Sequence, residues 1–462
     1  MMTRMAPGTH FLLIASVLFG NVTLNMAAAD AQGRNTATLS TLDRTPHVPS
    51  QVLVQFRAGV TDEAKHSVRS RIHAESEMTV VAQEHRKDMK GDLELWNLPP
   101  GVEIAHAVRS LQQETTIEFV EPNWIYRHQA VSNDPYYMDG SLWGMYGNGT
   151  SPANPYGSQA GAAWTSRTDC TDVYIGIIDE GMMYAHEDLA GNVWTNPNDP
   201  VDGLDNDGNG YADDIHGWDF VGNDNSVYDG TDDDHGTHVS GTVAAKGGNG
   251  MGVAGICWNG IKLISAKFLG RAGGTTADAI RAVDYLTDLK TRHGLNIVAS
   301  NNSWGGGGYS TALYDAIERA NSTNILFFAA AGNSGVNIDS APFYPASYTN
   351  ENVIAVAAID STGNLASWSN YGASSVHLGA PGVGIWSTIP KKRNQSTYSS
   401  YSGTSMATPH VTGAAALYAA AHPGSTAANI KNAILSGGIQ TGSLVGKTVT
   451  GRRLNVCSSS CP

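Results

Sequence analysis

Residues 173–178 have the sequence VYIGII, an unbroken apolar run that ends at Asp179. Such a run, without polar alternation, is typical of a strand buried on both faces of a parallel sheet. Four later runs share this character: residues 262–268, 295–299, 325–330 and 353–358. Helical patterns alternate with them: residues 235–246, 276–292, 310–320 and 404–420. The sequence therefore predicts an α/β domain with a doubly wound parallel sheet, whose functional groups lie at the carboxyl ends of the strands.

Three segments place reactive side chains at such positions: residues 177–181 (IIDEG), 235–242 (HGTHVSGT) and 403–410 (GTSMATPH). Taken singly, each has an ordinary structural explanation, such as a serine that caps a helix. In a doubly wound fold, however, strand ends and the helix starts that follow them meet at one edge of the sheet. There a serine needs a base to remove its proton, and a histidine needs an acid to hold its tautomer. Asp179, His235 and Ser405 fit these roles.

Together these motifs resemble the subtilase family of subtilisin-like serine peptidases, in which the triad has the same Asp-His-Ser order along the chain. The resemblance extends over roughly residues 49–450. It implies that Asp179 orients the imidazole, His235 is the general base and Ser405 is the nucleophile. The activity it implies is that of an endopeptidase that hydrolyses protein and peptide substrates through an acyl-enzyme.

The resemblance also implies roles for residues around the triad. The family uses the first histidine of its HGTH motif, so His238 and His410 are expected to be structural. Asn333 matches the oxyanion asparagine, although an asparagine in the sequence NSG is also typical of a plain turn. A bulky Phe343 at the floor of the specificity pocket would narrow that pocket. The residues expected to contact substrate, which would bind as an extended strand, are Ser303, Trp304, Gly305, Ala330, Gly332 and Phe343.

A smaller unit precedes this domain, at about residues 49–128. Helical patterns at residues 61–72 and 102–111, spaced among four short strands, predict a small α+β, ferredoxin-like sandwich of split βαβ type. The resemblance implies that this unit is an inhibitor-type prodomain, which assists folding, inhibits the enzyme and is removed by self-cleavage. We therefore expect a propeptide at residues 32–130 and the peptidase domain at residues 131–462.

The N-terminus has the pattern of an export signal. Arg4 precedes a short apolar run at residues 11–19 (FLLIASVLF), and residues 29–31 (ADA) form a small-x-small cleavage site. The alternative, a membrane anchor, would need about 20 apolar residues. We therefore expect residues 1–31 to be a signal peptide and the protein to be secreted, without a membrane partner.

The composition excludes some classes of protein. The 462 residues include 28 Lys and Arg against 42 Asp and Glu, which gives a formal net charge of −14. A chain this acidic is a poor candidate for nucleic-acid binding, which needs a basic patch. With 41% hydrophobic and only 15% charged residues it is not a disordered acidic tail either. We expect a monomer with no nucleic-acid partner.

Residues 205–214 (DNDGNGYADD) have the spacing of oxygen ligands found in EF-hand-like calcium loops. The loop departs from that pattern at its twelfth position, which is His216 rather than Glu, so Asp214 or the upstream Asp202 would have to supply the missing carboxylate. The alternative is a solvated acidic loop. The candidate calcium ligands are Asp202, Asp205, Asp207, Asn209, Tyr211, Asp213 and Asp214.

The resemblance implies a second structural calcium site. Asp188 matches a calcium ligand of the family, and Asn249 matches another. The backbone carbonyls of Met251 and Val253 would complete the site.

Four cysteines are present, Cys170, Cys257, Cys457 and Cys461. An even number in an exported chain favours two disulfides, and the spacing does not fit a four-cysteine metal site. Cys457 and Cys461 could close a small loop, which leaves Cys170 with Cys257. The strand order of the subtilase family also places the strands that follow Cys170 and Cys257 side by side.

Two other functions are compatible with the same fold. A subtilase-like protein could have lost cleavage and act as a binding module, but the presence of Asp179, His235, Ser405 and Asn333 argues against this. A peptide ligase or macrocyclase would use an amine instead of water as the acyl acceptor. The sequence shows no dedicated insertion that would exclude water.

Overall fold

A computed structural model describes residues 47–83, 90–124 and 132–460. The chain divides into two compact units, Met1–Arg127 and His128–Pro462. The predicted signal peptide at residues 1–31 lies outside the described residues, as does most of the predicted connector between the units. None of the helices in the described ranges is long and apolar enough to cross a membrane.

The first unit is a small antiparallel sheet with two helices. In chain order its elements are β1 (His47–Phe56), α1 (Asp62–Arg71), β2 (Glu75–Val81), β3 (Leu93–Asn97), α2 (Ile104–Leu111) and β4 (Ile117–Trp124). The strand order is β2-β3-β1-β4, and each described neighbour pair is antiparallel. One strand therefore lies between β1 and β2, and another between β3 and β4, which confirms the predicted split βαβ arrangement.

The core of this unit follows from strand alternation. Val52, Val54 and Phe56 point to the same face of β1 and are fully buried, together with Trp96 of β3. Each such side chain contributes about 1.5–3 kcal/mol when it leaves water. The first helix begins where predicted, because the Thr61 hydroxyl accepts a hydrogen bond from a backbone N–H of its first turn.

The second unit contains the large sheet. Its strands are β5 (Tyr174–Asp179), β6 (Gly217–Asp219), β7 (Lys262–Lys267), β8 (Ile297–Asn302), β9 (Leu326–Ala330), β10 (Val353–Ile359), β11 (Leu378–Pro381), β12 (Ile385–Lys391), β13 (Gln395–Tyr401), β14 (Ile439–Gln440) and β15 (Arg452–Arg453). Its α-helices are α3 (Pro135–Met138), α4 (Ala160–Ala163), α5 (Asp234–Ala244), α6 (Thr276–His293), α7 (Thr311–Ser322), α8 (Thr404–Ala421), α9 (Ala427–Gly437) and α10 (Val456–Ser460).

Nine of the described strands form one sheet, in the order β14-β15-β11-β10-β9-β8-β5-β7-β6. All neighbours in it are parallel except β14 and β15, and β12 pairs with β13 as a separate antiparallel hairpin. Ile175 and Ile177 of β5 belong to the core on one face, with α8, whereas Ile178 belongs to the core on the other face, with α6. The predicted doubly wound α/β fold is confirmed, and β5 lies in its middle with both faces covered.

One strand is longer than its apolar pattern predicts. The apolar run at residues 295–299 ends before Asn301 and Asn302, yet β8 includes both, and both are fully buried. Both polar ends of Asn301 have partners, since Asn301 Nδ2 donates to Ser303 Oγ at 2.9 Å and Thr412 Oγ1 donates to Asn301 Oδ1 at 2.9 Å. Asn302 Nδ2 donates to the nearby Ser300 Oγ at 2.8 Å. A tertiary hydrogen bond thus makes burial of the Asn301 amide tolerable.

Cys170 and Cys257 form a disulfide, with their Cα atoms 6.3 Å apart. They precede the adjacent strands β5 and β7, which pair in parallel from Tyr174 and Lys262 onward. The bond therefore lies at the end of the sheet opposite Asp179, and this predicted pairing is confirmed. The predicted partner of Cys457, Cys461, lies outside the described residues.

Removal of this disulfide should destabilise the second unit. It spans 87 residues, and loss of a cross-link over a loop of this length costs about 2–5 kcal/mol. The double variant Cys170→Ala, Cys257→Ala should therefore show a lower Tm in calorimetry than the parent, while Ser166→Ala serves as a nearby control. A non-reducing peptide map that linked Cys170 to Cys457 or Cys461 would contradict the pairing.

Candidate active site

Asp179 and His235 form a hydrogen-bonded pair at the carboxyl end of β5. Asp179 is the last residue of the strand and is fully buried, and His235 lies in the first turn of α5. His235 Nδ1 lies 2.8 Å from Asp179 Oδ1, which also accepts the Glu180 N–H at 2.8 Å. A carboxylate can only accept in this pair, so Nδ1 carries the proton and Nε2 is left to act as a base.

The charges around His235 favour its protonated form. Burial lowers the pKa of His235, but the Asp179 carboxylate, with Glu180 and Asp234, outweighs burial and raises the pKa to about 9. The site thus stabilises the imidazolium. This suits a group that accepts a proton during a reaction.

Ser405 lies in the first turn of α8 and is tied to the segment that follows β8. Its hydroxyl donates to the Ser303 carbonyl at 3.0 Å, and the Ser303 hydroxyl donates to the Ser405 carbonyl at 2.9 Å. The carbonyl in the second bond has no helical N–H partner, because residue 409, whose N–H would bond to it in a regular helix, is a proline. Pro409 thus leaves the Ser405 carbonyl available to Ser303.

His235 and Ser405 line one cavity of 440 Å³. In the described conformation the Ser405 hydroxyl donates to Ser303 rather than to His235. Hydrogen bonds of this kind are often absent or long in unliganded sites and shorten when substrate binds. The other residues that line the cavity are Asn333, Ser400, Tyr401, Ser402, Gly403 and Met406.

Asn333 is held in one orientation by the start of α8. Its Oδ1 accepts hydrogen bonds from both the backbone N–H and the hydroxyl of Thr404, each at 2.9 Å. The side-chain oxygen is therefore engaged, and the Nδ2 amide is the end left to donate into the cavity. An oxyanion that formed next to Ser405 would need a donor of this kind.

Two of the predicted substrate-binding residues, Gly305 and Gly332, lie against a third, Phe343. A Cβ atom added to Gly305 would lie 2.3 Å from Phe343 Cε1, and one added to Gly332 would lie 2.9 Å from the same atom. The phenyl ring therefore fills the space between the segment that follows β8 and the segment that follows β9. Ala330 is the last residue of β9. Trp304 packs edge-on against Phe268, with ring centroids 4.7 Å apart.

The two other histidines of the motifs are bound inside the core. His238 Nε2 lies 2.9 Å from the Ile385 carbonyl, and His410 Nδ1 lies 2.9 Å from the Met406 carbonyl. Burial lowers the pKa of His238 to about 3 and that of His410 to about 4, so both are neutral at physiological pH. These contacts fit the structural roles expected for them.

The acidic loop brings together some of its predicted calcium ligands. Asn209 Nδ2 donates to Asp214 Oδ2 at 2.9 Å, and Asn196 Nδ2 donates to Asp207 Oδ2 at 2.9 Å. Asp205 accepts the Gly210 N–H at 2.8 Å. The cluster thus consists of buried or loop-closing carboxylates whose partners include side-chain and backbone amides.

The remaining loop residues take other partners. Asp213 accepts the backbone N–H of Asp202 at 2.9 Å, and the Tyr211 N–H donates to Asn209 Oδ1 at 2.8 Å. His216 occupies the twelfth loop position, where the EF-hand pattern has Glu. Its Nδ1 lies 2.6 Å from the Trp194 carbonyl. Asp199, which no sequence motif indicated, is fully buried and accepts the Asp214 N–H at 3.2 Å.

The second predicted calcium site is also assembled in part. Asp188 accepts hydrogen bonds from Asn249 Nδ2 at 2.8 Å and from the Val253 N–H at 3.0 Å. The neighbouring Met251 has its N–H bonded to Asn249 Oδ1 at 2.8 Å. Asp134, which sequence reasoning missed, is fully buried beside them and accepts the Asn249 N–H at 3.0 Å.

Neither group of carboxylates amounts to a metal site on geometry alone. Among the described residues, no three or more His, Cys, Asp or Glu side chains have the arrangement that could hold a metal ion. The donor atoms in both groups are hard oxygens, which suit Ca²⁺ rather than Zn²⁺. Calcium binding therefore stays a prediction.

Comparisons with known proteins identify the family of both units. Residues 171–441 match the Subtilase family, and residues 33–123 match the fervidolysin N-terminal prodomain. The thermophilic serine proteinase of Bacillus sp. (strain AK1) is 36% identical over 81% of this chain and 78% of its own length. The extracellular basic protease of Dichelobacter nodosus is 33% identical over 68% of this chain and 52% of its own length.

A solved structure supports the fold as well. Proteases from Pseudoalteromonas arctica PAMC 21717 align with a TM-score of 0.58 and 26% identity, over 72% of this chain and 99% of theirs. The chain belongs to the subtilase family of subtilisin-like serine endopeptidases, and a prodomain precedes its peptidase domain.

The charges at His235 predict an alkaline activity profile. Only the neutral imidazole can accept a proton, and the pKa of His235 is raised to about 9, so kcat/KM should rise with pH well above 6.5. Below the pKa the expected slope is about tenfold per pH unit. The measurement is the pH dependence of kcat/KM on an uncharged chromogenic peptide. A plateau reached by pH 7 would contradict the prediction.

Proposed function

We propose that this chain is a secreted endopeptidase, made as a self-processing zymogen, in which Asp179, His235 and Ser405 form the catalytic triad. The observation that carries this proposal is the buried Asp179–His235 pair, 2.8 Å between Oδ1 and Nδ1, beside a cavity that Ser405 shares. Residues of the same three types in the same roles define serine peptidases on several folds.

The reaction begins when substrate displaces the Ser405 hydroxyl from the Ser303 carbonyl. Ser405 Oγ forms a bond to the scissile carbonyl carbon, and His235 Nε2 takes the hydroxyl proton. Asp179 stabilises the imidazolium that results. The carbon–nitrogen bond then breaks, and His235 returns the proton to the leaving amine. Water repeats these steps on the acyl-enzyme, so that Ser405 is regenerated and the acid is released.

Charge develops on the carbonyl oxygen in each tetrahedral intermediate. Asn333 Nδ2 and the Ser405 backbone N–H would donate to that oxygen. Support comes from Thr404, which engages the other end of the Asn333 amide and so fixes its direction. Loss of one such donor lowers kcat by about 10²–10³, a figure measured in subtilisin.

Substrate would bind as an extended strand along Ser303, Trp304 and Gly305, through backbone hydrogen bonds. Phe343 fills the space between Gly305 and Gly332. Because the ring occupies that volume, the pocket next to Ser405 favours a small side chain at the residue before the scissile bond. Ala330 and Gly332 would line the other wall of this pocket.

Two observations support zymogen processing and export. The segment after the proposed cleavage point, near residues 130–133, is anchored within the peptidase unit, since Asn133 Oδ1 and Asp134 Oδ1 both accept the Gly250 N–H at 2.9 Å. The new N-terminus would therefore stay in place after cleavage. Export is supported by the signal-like pattern at residues 1–31 and by a relative that is named extracellular.

Calcium is proposed at two places. The acidic loop would hold it through Asp199, Asp205, Asp207, Asn209 and Asp214, with Asp202, Tyr211 and Asp213 close by in the sequence. The second group comprises Asp134, Asp188, Asn249, Met251 and Val253. When bound, the ion would neutralise carboxylates that otherwise repel one another. Tyr285 of α6 donates to Asp214 and so ties the loop to a helix that packs on the sheet. An ion that orders this loop would therefore stabilise the fold.

Replacement of the proposed nucleophile should stop processing. Ser405→Ala removes the only atom of the triad that bonds to substrate, so the precursor should remain uncut. The measurement is the mass of the protein expressed alone in a protease-deficient host, with the exposed Ser361→Ala as control. Normal processing of Ser405→Ala would show that cleavage is not autocatalytic.

Loss of loop carboxylates should mimic calcium removal. A ligand that binds only the folded form adds about 2.7 kcal/mol at 100 times its Kd, so chelator should lower Tm and speed autolysis. Asp205→Ala with Asp207→Ala should do the same and bind less calcium by equilibrium dialysis, whereas the exposed Asp315→Ala should not. If the double variant had the same Tm and bound as much calcium as the parent, the prediction would be wrong and the loop would be a solvated acidic segment.

A further inference from the structure

The side chain of Glu180, the residue directly after Asp179, contacts the backbone of the catalytic histidine. Glu180 Oε1 accepts the His235 N–H at 2.5 Å. His235 is the second residue of α5, and N–H groups in the first turn of a helix have no partner within it. The side chain at the end of β5 therefore supplies a hydrogen bond that the helix cannot.

The usual capping residue of α5 is engaged elsewhere. Asp233 holds the N-cap position but makes no capping hydrogen bond with its side chain. Its carboxylate instead pairs with Lys267 Nζ at 2.8 Å, and Lys267 also pairs with Asp229 at 2.7 Å. Glu180, which follows β5, thus makes the capping hydrogen bond in place of Asp233. Its carboxylate lies close to the positive end of the helix.

The groups that face His235 come from several elements. From the end of β5 and the residue after it, these are Asp179 and Glu180. From α5 itself they are Asp234, whose carboxylate accepts the Tyr401 hydroxyl of β13, and the buried, neutral His238. Ser405 of α8 lines the same cavity. None of these facing groups is a lysine or arginine, so the carboxylates act on His235 together.

We propose that Glu180 is a positioning residue for hydrolysis, which fixes the first turn of α5 and, through its negative charge beside His235, sets the pH range in which the enzyme works. The inference rests on the proposed function, since it requires His235 to be the general base. It assigns a second carboxylate, besides Asp179, to the control of that base.

The charge of Glu180 is itself open to titration. Burial, with the neighbouring Asp179 charge, raises the pKa of Glu180 to about 7. The side chain also lines a cavity of 380 Å³, whose other charged groups are Asp219, Asp229, Asp232, Asp233, Lys267 and Arg271. Above this pH an ionised Glu180 favours the imidazolium, so it raises the pH at which His235 loses its proton and stabilises the charge that forms during hydrolysis. The two groups therefore titrate as a coupled pair.

Glu180→Gln separates the charge from the hydrogen bond. The glutamine amide oxygen can still accept the His235 N–H, but the charge is gone. An opposite charge within about 4–6 Å raises a histidine's pKa by about one unit or more. We expect the acid limb of the kcat/KM profile to move about one pH unit lower, and kcat at high pH to fall about three- to tenfold, with KM little changed.

Two further variants make the test specific. Glu180→Ala removes both the charge and the acceptor, so it should show the same shift of the acid limb and, in addition, a lower Tm. Asp232→Asn removes a carboxylate from the same cavity whose side chain is 67% exposed, and it should leave the acid limb in place.

An unshifted acid limb in active Glu180→Gln and Glu180→Ala enzymes would overturn the inference and reduce Glu180 to a helix cap. An equal shift in Asp232→Asn would also overturn it, because the effect would then belong to the general acidity of the cavity. Peptide hydrolysis that survived Ser405→Ala would instead overturn the proposed triad.

Discussion

The hydrogen bond between Asp179 and His235 joins the centre of the sheet to the helix that carries the base, and the site depends on it. Asp179 can lie fully buried because β5 is flanked by β7 and β8 and covered by helices on both faces. A carboxylate in such a place needs compensation, and it receives the His235 Nδ1–H and the Glu180 N–H on the same oxygen. The sheet therefore fixes the carboxylate, and the carboxylate fixes the tautomer of the imidazole.

The start of α8 is organised in a comparable way, by partners from outside the helix. Thr404 binds Asn333, and Ser405 exchanges two hydrogen bonds with Ser303. These bonds connect the helix to the segments that follow β8 and β9, so three parts of the chain distant in sequence hold one another in register. Preorganised donors of this kind need little rearrangement when charge develops.

Much of this arrangement could be predicted from the sequence. The apolar run at residues 173–178 predicted a parallel sheet, and short motifs at its strand ends predicted which side chains would meet. Asn301 shows where such reasoning stops, because its burial depends on a partner as distant as Thr412. Asp134 and Asp199 were missed for the same reason, since neither lies in a recognisable motif. Glu180 was visible beside Asp179, but its contact depends on where α5 begins.

Pro409 has a consequence for how the nucleophile is held. A proline inside a helix costs about 3 kcal/mol, and any other residue at 409 would bring an N–H that shares the Ser405 carbonyl oxygen with the Ser303 hydroxyl. The helix would gain one backbone hydrogen bond, and the Ser303 hydroxyl would no longer have this acceptor to itself. With proline at 409, that acceptor joins the turn that carries the nucleophile to the wall along which the peptide is expected to lie.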